Sequence, residues 1–170
     1  MPSCKIVAFG DASFANLHDK GSQGAYIILL ADKNGKYCPL SWQSKRLQRV
    51  VRSTLAAECL AIGQTIDAAI HLQTTIHEMI PTIKPPIHIF SDSDSLVKSS
   101  QTSTPVTDRG LQVEIALIRD RIIQKSIDEL RWIPTKYNLA DSLTKVGANS
   151  SYLLAVLEGS MCFDLESGIF

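Results

Sequence analysis

The chain has 170 residues, 45% of them hydrophobic, with 17 basic and 17 acidic side chains for a formal net charge of zero. That length suits one sizeable core and is short for two ordinary domains, and the apolar content excludes a disordered chain. The charge balance argues against a blanket attraction to nucleic acid and leaves room for a local basic face. No run approaches the roughly 18 uncharged apolar residues of a membrane helix. The start, Met1-Pro2-Ser3-Cys4-Lys5, lacks the layout of a secretory signal. An intracellular protein is expected, with Cys4, Cys38, Cys59 and Cys162 serving as buried small hydrophobes because they show no C-x-x-C spacing.

Lys5 to Gly10 is a short apolar run that ends at Asp11 and reads as a buried strand, and Ala25 to Leu30 reads as a second. Asp32-Lys33-Asn34-Gly35-Lys36 is rich in turn formers, and Tyr37 to Gln43 supplies a return strand, completing an antiparallel meander. From Ser53 to about Ile80 the apolar spacing changes to helical steps through Leu55, Cys59, Ile62, Ile66, Ala69, Ile70 and Ile76. Ser53-Thr54 caps this long helix and Pro81 stops it. Ile87 to Phe90 forms a fourth strand ending at Ser91-Asp92, followed by a short helix through Leu96 and Val97. Thr107 or Asp108 caps a helix whose stripe is Leu111, Ile115, Ile118 and Ile122, and Leu130 to Ile133 is a fifth strand closed by Pro134. Asn138 caps a helix through Leu139, Leu143 and Val146, and Ser151 to Leu157 forms another.

A long helix between strands three and four implies a parallel crossover. The expected fold is therefore α/β: a mixed five-stranded sheet with its first three strands antiparallel, strands 1, 4 and 5 parallel, and helices as cover. Residues 1–158 make the domain and residues 159–170 a C-terminal tail.

On this layout Asp11 ends the first strand, Glu58 lies one turn into the long helix, Asp92 ends the fourth strand and Asp141 opens the late helix. Neighbouring parallel strands one and four would bring their carboxyl ends together, where ligand sites of open α/β sheets lie. Carboxylates meeting there would repel unless cations neutralise them, and hard oxygen donors select magnesium or manganese over zinc. Two such ions roughly 3.5–4 Å apart can clamp a phosphodiester. Each acid also has a plain reading. Asp11 can favour a turn, Asp92 can cap the helix after it, and Asp141 can be a first-turn acid that complements the helix dipole. Glu58, among Leu55, Ala56, Ala57, Cys59 and Leu60, is costly to bury without a partner.

Five segments carry a family resemblance. Phe9-Gly10-Asp11-Ala12-Ser13-Phe14-Ala15 resembles the first-strand motif of copia-like retrotransposon ribonuclease H domains, and Leu40-Ser41-Trp42-Gln43-Ser44-Lys45 their third strand. Ser53-Thr54-Leu55-Ala56-Ala57-Glu58 is similar to the start of their catalytic helix. Phe90-Ser91-Asp92-Ser93-Asp94-Ser95-Leu96 is similar to their Thr-Asp-Asn-x-Ser-Leu segment, which singles out Asp92 over Asp94. Arg131-Trp132-Ile133-Pro134, then Asn138-Leu139-Ala140-Asp141-Ser142-Leu143-Thr144-Lys145, resembles their closing segment. The motifs keep their order from about residue 5 to about residue 158.

The resemblance implies a ribonuclease H-like fold and cleavage of the RNA strand of RNA–DNA hybrids with two Mg²⁺ ions, for which Mn²⁺ can substitute, leaving 5′-phosphate and 3′-hydroxyl ends. It implies that Asp11 bridges both ions with Asp92 at its side, that Glu58 binds the second ion, and that Asp141 completes the first site and positions water. The hybrid is expected to be held by shape, phosphates and 2′-hydroxyls. A reverse transcriptase polymerase domain, in cis or in trans, is the implied partner, with no membrane, and cytoplasmic virus-like particles or the nucleus the implied location.

The chain departs from the family in two places. Gly110 stands where many members carry a histidine that assists water entry or product exit, and none of His18, His71, His77 or His88 falls there. Ser93 replaces the usual asparagine after the aspartate. Lys45, Arg46, Arg49 and Arg52 form a basic run ahead of the long helix, open to phosphate binding or to a role as a solvated loop. Ser13, Ser53, Thr54 and Ser93 are candidate sugar or phosphate contacts, whereas Trp42 reads as core. Two other functions stay open: a weak or inactive hybrid-binding module of a polyprotein, and another nuclease or integrase of the same fold. Integrase-type domains place their glutamate late, while Glu58 sits early.

Overall fold

The computed structural model of the chain describes residues 4–102, 108–159, 161–164 and 167. Three strands open it: β1 (Cys4–Ser13), β2 (Gln23–Asp32) and β3 (Tyr37–Arg46). The β2–β3 hairpin turns where turn formers are densest. The Asp32 carboxylate accepts from the Asn34 and Lys36 backbone N–H groups at 2.8 and 2.9 Å, and Gly35 adopts φ 77°. A Cβ on Gly35 would lie 2.5 Å from the Phe163 carbonyl oxygen, so this turn demands glycine for space as well as for conformation.

Helix α1 (Thr54–Met79) begins where Ser53 accepts the Ala56 N–H at 3.1 Å and ends at Ile80, ahead of Pro81. It crosses one face of the sheet and delivers the chain to β4 (Ile87–Ser91), which pairs parallel with β1. α2 (Asp94–Gln101) and α3 (Arg109–Ile123) then lead to β5 (Glu129–Trp132), parallel to β4. Asp108 caps α3 by accepting the Leu111 N–H at 3.1 Å, while Thr107 lies outside the described residues. The sheet order is β3-β2-β1-β4-β5. Its first three strands are antiparallel and β1, β4 and β5 parallel, as the sequence led one to expect.

Alternation along β1 sends Ile6 and Ala8 to one face and Val7 and Phe9 to the other, all without exposure. On the first face they join Ile62 and Ile66 of α1 and Leu111, Ile115 and Ile118 of α3. On the second they join Ile27, Leu29 and Phe90 beneath Leu139 and beneath Leu153 and Val156 of α5 (Ser151–Leu157). Burial of both faces explains why the central strands read as apolar runs rather than alternating patterns. Against the expectation that no run approaches a membrane helix, α1 is long and apolar enough to cross one by length and composition alone; its apolar stripe is packed on this sheet.

Several expectations are corrected. β1 continues past Asp11 to Ser13, so Asp11 lies within the strand and is buried. The expected helix from Asn138 to Val146 is instead a 3-10 turn (Thr135–Tyr137) and a single-turn α4 (Asp141–Thr144), with Val146 fully exposed. Four residues cannot sustain an apolar stripe, and the spacing of Leu139 and Leu143 mimicked one. Trp42, in the middle of β3 and paired with Ile27, is 67% exposed, because β3 is the edge strand of the sheet. Cys59 is buried, but Cys38 and Cys162 are exposed. Phe163, in the segment assigned to a tail, is buried against the Phe9 and Phe90 rings, so the core reaches beyond residue 158.

Candidate active site

The parallel β1–β4 register pairs Phe9 with Phe90, which puts Asp11 and Asp92 each two residues beyond the same rung. α1 crosses behind β1 and brings Glu58 to the Ala12 backbone, which donates to its carboxylate. α4 brings Asp141 from the other side of the sheet. One oxygen each from Asp11, Asp92 and Asp141 lies within 4.8 Å of the others, and Glu58 faces this group with its Oε2 buried and without a hydrogen-bond partner among the described residues. The plain reading of Asp92 as a helix cap does not hold: α2 has Ser93 at its N-cap, and Asp92 Oδ1 accepts from Asn138.

Four further residues hold the acids, and residue-by-residue reading missed them as site components. Asn138, buried, donates one amide hydrogen to the Gly10 carbonyl at 3.1 Å and the other to Asp92 Oδ1 at 3.0 Å, while its oxygen accepts the Ala140 N–H at 3.1 Å. It therefore ties β1, β4 and the approach to α4 together with every polar atom used. Trp132 Nε1 donates to the Asp92 carbonyl at 3.1 Å from the end of β5. The buried Thr144 hydroxyl donates to Asp11 Oδ2. Lys145 pairs with Asp141 and lies 3.9 Å from Asp11 Oδ2. Asn138, Thr144 and Lys145 belong to the same motif as Asp141. The available signal was polar residues interleaved with apolar ones in a segment too short to be an amphipathic helix.

The electrostatics follow from burial and crowding. Burial pushes the Asp11 carboxyl up to about 6, against the Thr144 hydrogen bond and the Lys145 charge, with Asp92 and Asp141 adding to the rise. Glu58 is pushed to about 9 by burial and by the charges of Asp11 and Asp92, with Lys145 and the Ala12 amide opposing. Burial pulls the Lys145 ammonium down, but the Asp141 hydrogen bond and the three neighbouring aspartates more than offset this and raise it. A cluster of hard oxygen donors short of positive charge, one of them a buried oxygen with no partner, is what a divalent cation fits.

The candidate nucleic-acid contacts are more dispersed. Lys45, Arg52 and Thr54 are exposed, and Ser13 and Ser93 are half-buried beside the acids. Arg46 pairs with Asp19 and Arg49 with Glu114, so half of the basic run is engaged within the chain. The Ser53 hydroxyl is occupied as a helix cap. A cavity of about 230 Å³ opens between the basic loop and the start of α3, lined by Arg49, Arg52, Asp108, Gly110 and Glu114 among others.

No family model matches the sequence. Solved structures do match the fold, ribonuclease H domains among them. The N-terminal RNase H domain of a Mycobacterium tuberculosis protein superposes with a TM-score of 0.54 at 16% identity, covering 80% of this chain and 86% of that one. LC11-RNase H1, isolated from compost and solved in complex with an RNA/DNA hybrid, gives 0.52 at 15%, covering 79% and 88%. The foamy viral protease-reverse transcriptase in complex with an RNA/DNA hybrid gives 0.53 at 16%, covering 84% of this chain and 19% of that longer one. The fold is ribonuclease H-like.

Proposed function

We propose that this chain is a divalent-metal-dependent endoribonuclease that hydrolyses the RNA strand of RNA–DNA hybrids, leaving 5′-phosphate and 3′-hydroxyl ends. The observation that carries the reading is the convergence of Asp11, Asp92 and Asp141 oxygens within 4.8 Å, faced by the partnerless Glu58 oxygen, at the carboxyl ends of parallel strands. Asp11, Asp92, Asp141 and Glu58 are the residues that would hold Mg²⁺ or Mn²⁺. Bound there, two such ions would supply Lewis-acid stabilisation of charge on a phosphodiester.

The chain's own groups do the rest. Asn138 and Trp132 fix Asp92 by its carboxylate and its carbonyl, and Thr144 fixes Asp11. Asp141, whose side chain is 22% exposed against 1% for Asp11, is the acid that meets entering water. Lys145 places an ammonium at the mouth, where it balances the acids and attracts a phosphate. Lys45 and Arg52 supply exposed charge for the hybrid's backbone, and Ser13, Thr54 and Ser93 supply hydroxyls for its sugars and phosphates.

Hybrid as substrate is supported by the hybrid-bound complexes of LC11-RNase H1 and the foamy viral enzyme. The copia-like motifs and the match to a reverse transcriptase support a role in retroelement reverse transcription. A polymerase domain in cis or in trans would be the partner, and a cytoplasmic virus-like particle or the nucleus the location.

The test is cleavage of an end-labelled RNA–DNA hybrid with Mg²⁺, Mn²⁺ or chelator, beside single-stranded and duplex RNA. Metal-dependent loss of RNA from the hybrid alone supports the proposal. Hybrid binding without cleavage, in the presence of either metal, overturns it in favour of a binding module.

A further inference from the structure

α4 is too short to hold its own place. Four residues make about one helical turn, and a turn leaves its terminal carbonyls without partners. Yet α4 carries Asp141 at its start and Thr144 at its end, and Thr144 in turn holds Asp11. Its position sets the geometry of two of the acids.

The missing support comes from the other end of the sequence. Asn16, in the β1–β2 connection, donates through Nδ2 to the Thr144 carbonyl at 2.8 Å. Gln23, the first residue of β2, donates through Nε2 to the Leu143 carbonyl at 3.2 Å and to Ser44 Oγ at 2.6 Å. Ser44, on β3, donates its hydroxyl to the same Leu143 carbonyl at 2.6 Å. The accounting is complete: both Gln23 amide hydrogens are used, Ser44 accepts one bond and gives one, and Asn16 Nδ2 also reaches Gln23 Oε1 at 3.5 Å. The sheet register explains why these residues meet. Asp11 lies opposite Ala25, and Ala25 opposite Ser44, so Ser44 and Asp11 point to the same face two strands apart. α4 lies across that face.

We propose that Asn16, Gln23 and Ser44 form a polar clamp on the carbonyl end of α4 that sets the affinity of the acid cluster for divalent metal. They are positioning residues: none reaches an acid, and each acts through the backbone of Leu143 or Thr144. The proposal rests on the metal-site reading above. Without the clamp α4 keeps its apolar anchors, Leu143 and the preceding Leu139 and Ala140, but loses what fixes its rotation and tilt. The Thr144 hydroxyl and the Asp141 carboxylate then move relative to Asp11 while the fold persists. Groups that orient metal ligands from outside typically control affinity by 10–100-fold.

The experiment titrates Mn²⁺ alone into the full chain by calorimetry, and measures kcat and KM on a hybrid, for Asn16→Ala, Gln23→Ala, Ser44→Ala, Ser44→Thr and Asp11→Asn. Each alanine variant is expected to weaken Mn²⁺ binding about 10-fold or more and to lower kcat, with KM for the hybrid within about two-fold of the parent. Ser44→Thr, which keeps the hydroxyl, is expected to restore parental affinity. Wild-type Mn²⁺ affinity in all three alanine variants overturns the clamp while a weakened Asp11→Asn upholds the metal site. Unchanged affinity in Asp11→Asn itself overturns the metal-site reading instead. Should Ser44→Ala fail to fold, Asn16→Ala, on an exposed connection, carries the same test.

Discussion

Glu58 should make the metal-free protein less stable than it would be with glutamine in its place. Burial, then the charges of Asp11 and Asp92, push its carboxyl to about 9, so at pH 7 the folded metal-free protein keeps it protonated. The unfolded chain ionises it near the ordinary 4.5. A folded pKa raised in this way gives stability that is fully present below 4.5 and is lost progressively as the pH rises toward 9. At 1.36 kcal/mol per pH unit, the loss between pH 4.5 and pH 7 is about 3 kcal/mol. Glutamine has the shape of the protonated acid and no such slope. It keeps an oxygen for the Ala12 amide, but places an N–H where Glu58 Oε2 has no partner, a cost of about 1 kcal/mol.

Glu58→Gln is therefore expected to be about 2 kcal/mol more stable than the parent at pH 7 in chelator. The gap should close toward pH 5 and widen toward pH 9. Urea denaturation at pH 5, 7 and 9 measures this directly. Saturating Mn²⁺ should stabilise the parent far more than the variant, because binding to the folded state alone adds stability by mass action. Parallel pH profiles for parent and variant would refute the reasoning, since they would mean that Glu58 is already ionised and compensated in the folded protein.

Asp92→Asn should abolish metal-dependent cutting while leaving the circular dichroism spectrum unchanged; an unaltered cleavage rate would remove Asp92 from the site. Asn138→Ala leaves the buried Gly10 carbonyl and Asp92 without their shared donor and should cost on the order of 2 kcal/mol in urea denaturation, with a fall in kcat. Gly10→Ala would place a Cβ 2.6 Å from Thr65 Oγ1 and 2.7 Å from Ile62 Cδ1, and should destabilise by about 1–3 kcal/mol through overpacking of α1 on β1. Asp11→Asn should remove a pH dependence of the same sign as that of Glu58 over a lower window, from 3.8 to about 6, visible in chelator as a flatter stability profile between those values.

Local patterning carried most of the fold. Apolar runs bounded by turn formers placed β1 to β5, and helical spacing with Ser53 and Pro81 placed α1. The crossover between β3 and β4 fixed which strands run parallel, and with them the meeting of Asp11 and Asp92. These features are legible because they depend on period, punctuation and chain connectivity, all of which are properties of neighbouring residues. The four acids were legible for the same reason: Asp92 and Asp141 sit at the edge of an element, Glu58 one turn into one, and Asp11 at the close of an apolar run, although β1 continues past it to Ser13.

What depended on packing between distant segments was not legible. α4 was read as a longer helix because Leu139 and Leu143 share a helical spacing, yet Val146 finds no surface to cover. Trp42 was placed in the core from its type, but residue type does not say that β3 ends a sheet. Phe163 looked like tail until the Phe9 and Phe90 rings closed on it. Among the basic residues, only the fold shows that Arg46 and Arg49 answer Asp19 and Glu114. The hydrogen bonds that aim the acids, from Asn138 to Asp92, Thr144 to Asp11 and Asn16 to the Thr144 carbonyl, span 46, 133 and 128 residues. The sequence thus determined which acids the protein has and which elements carry them. The tertiary structure alone decided how they are held, because a hydrogen bond across such a separation exists only once the sheet has brought its two ends together.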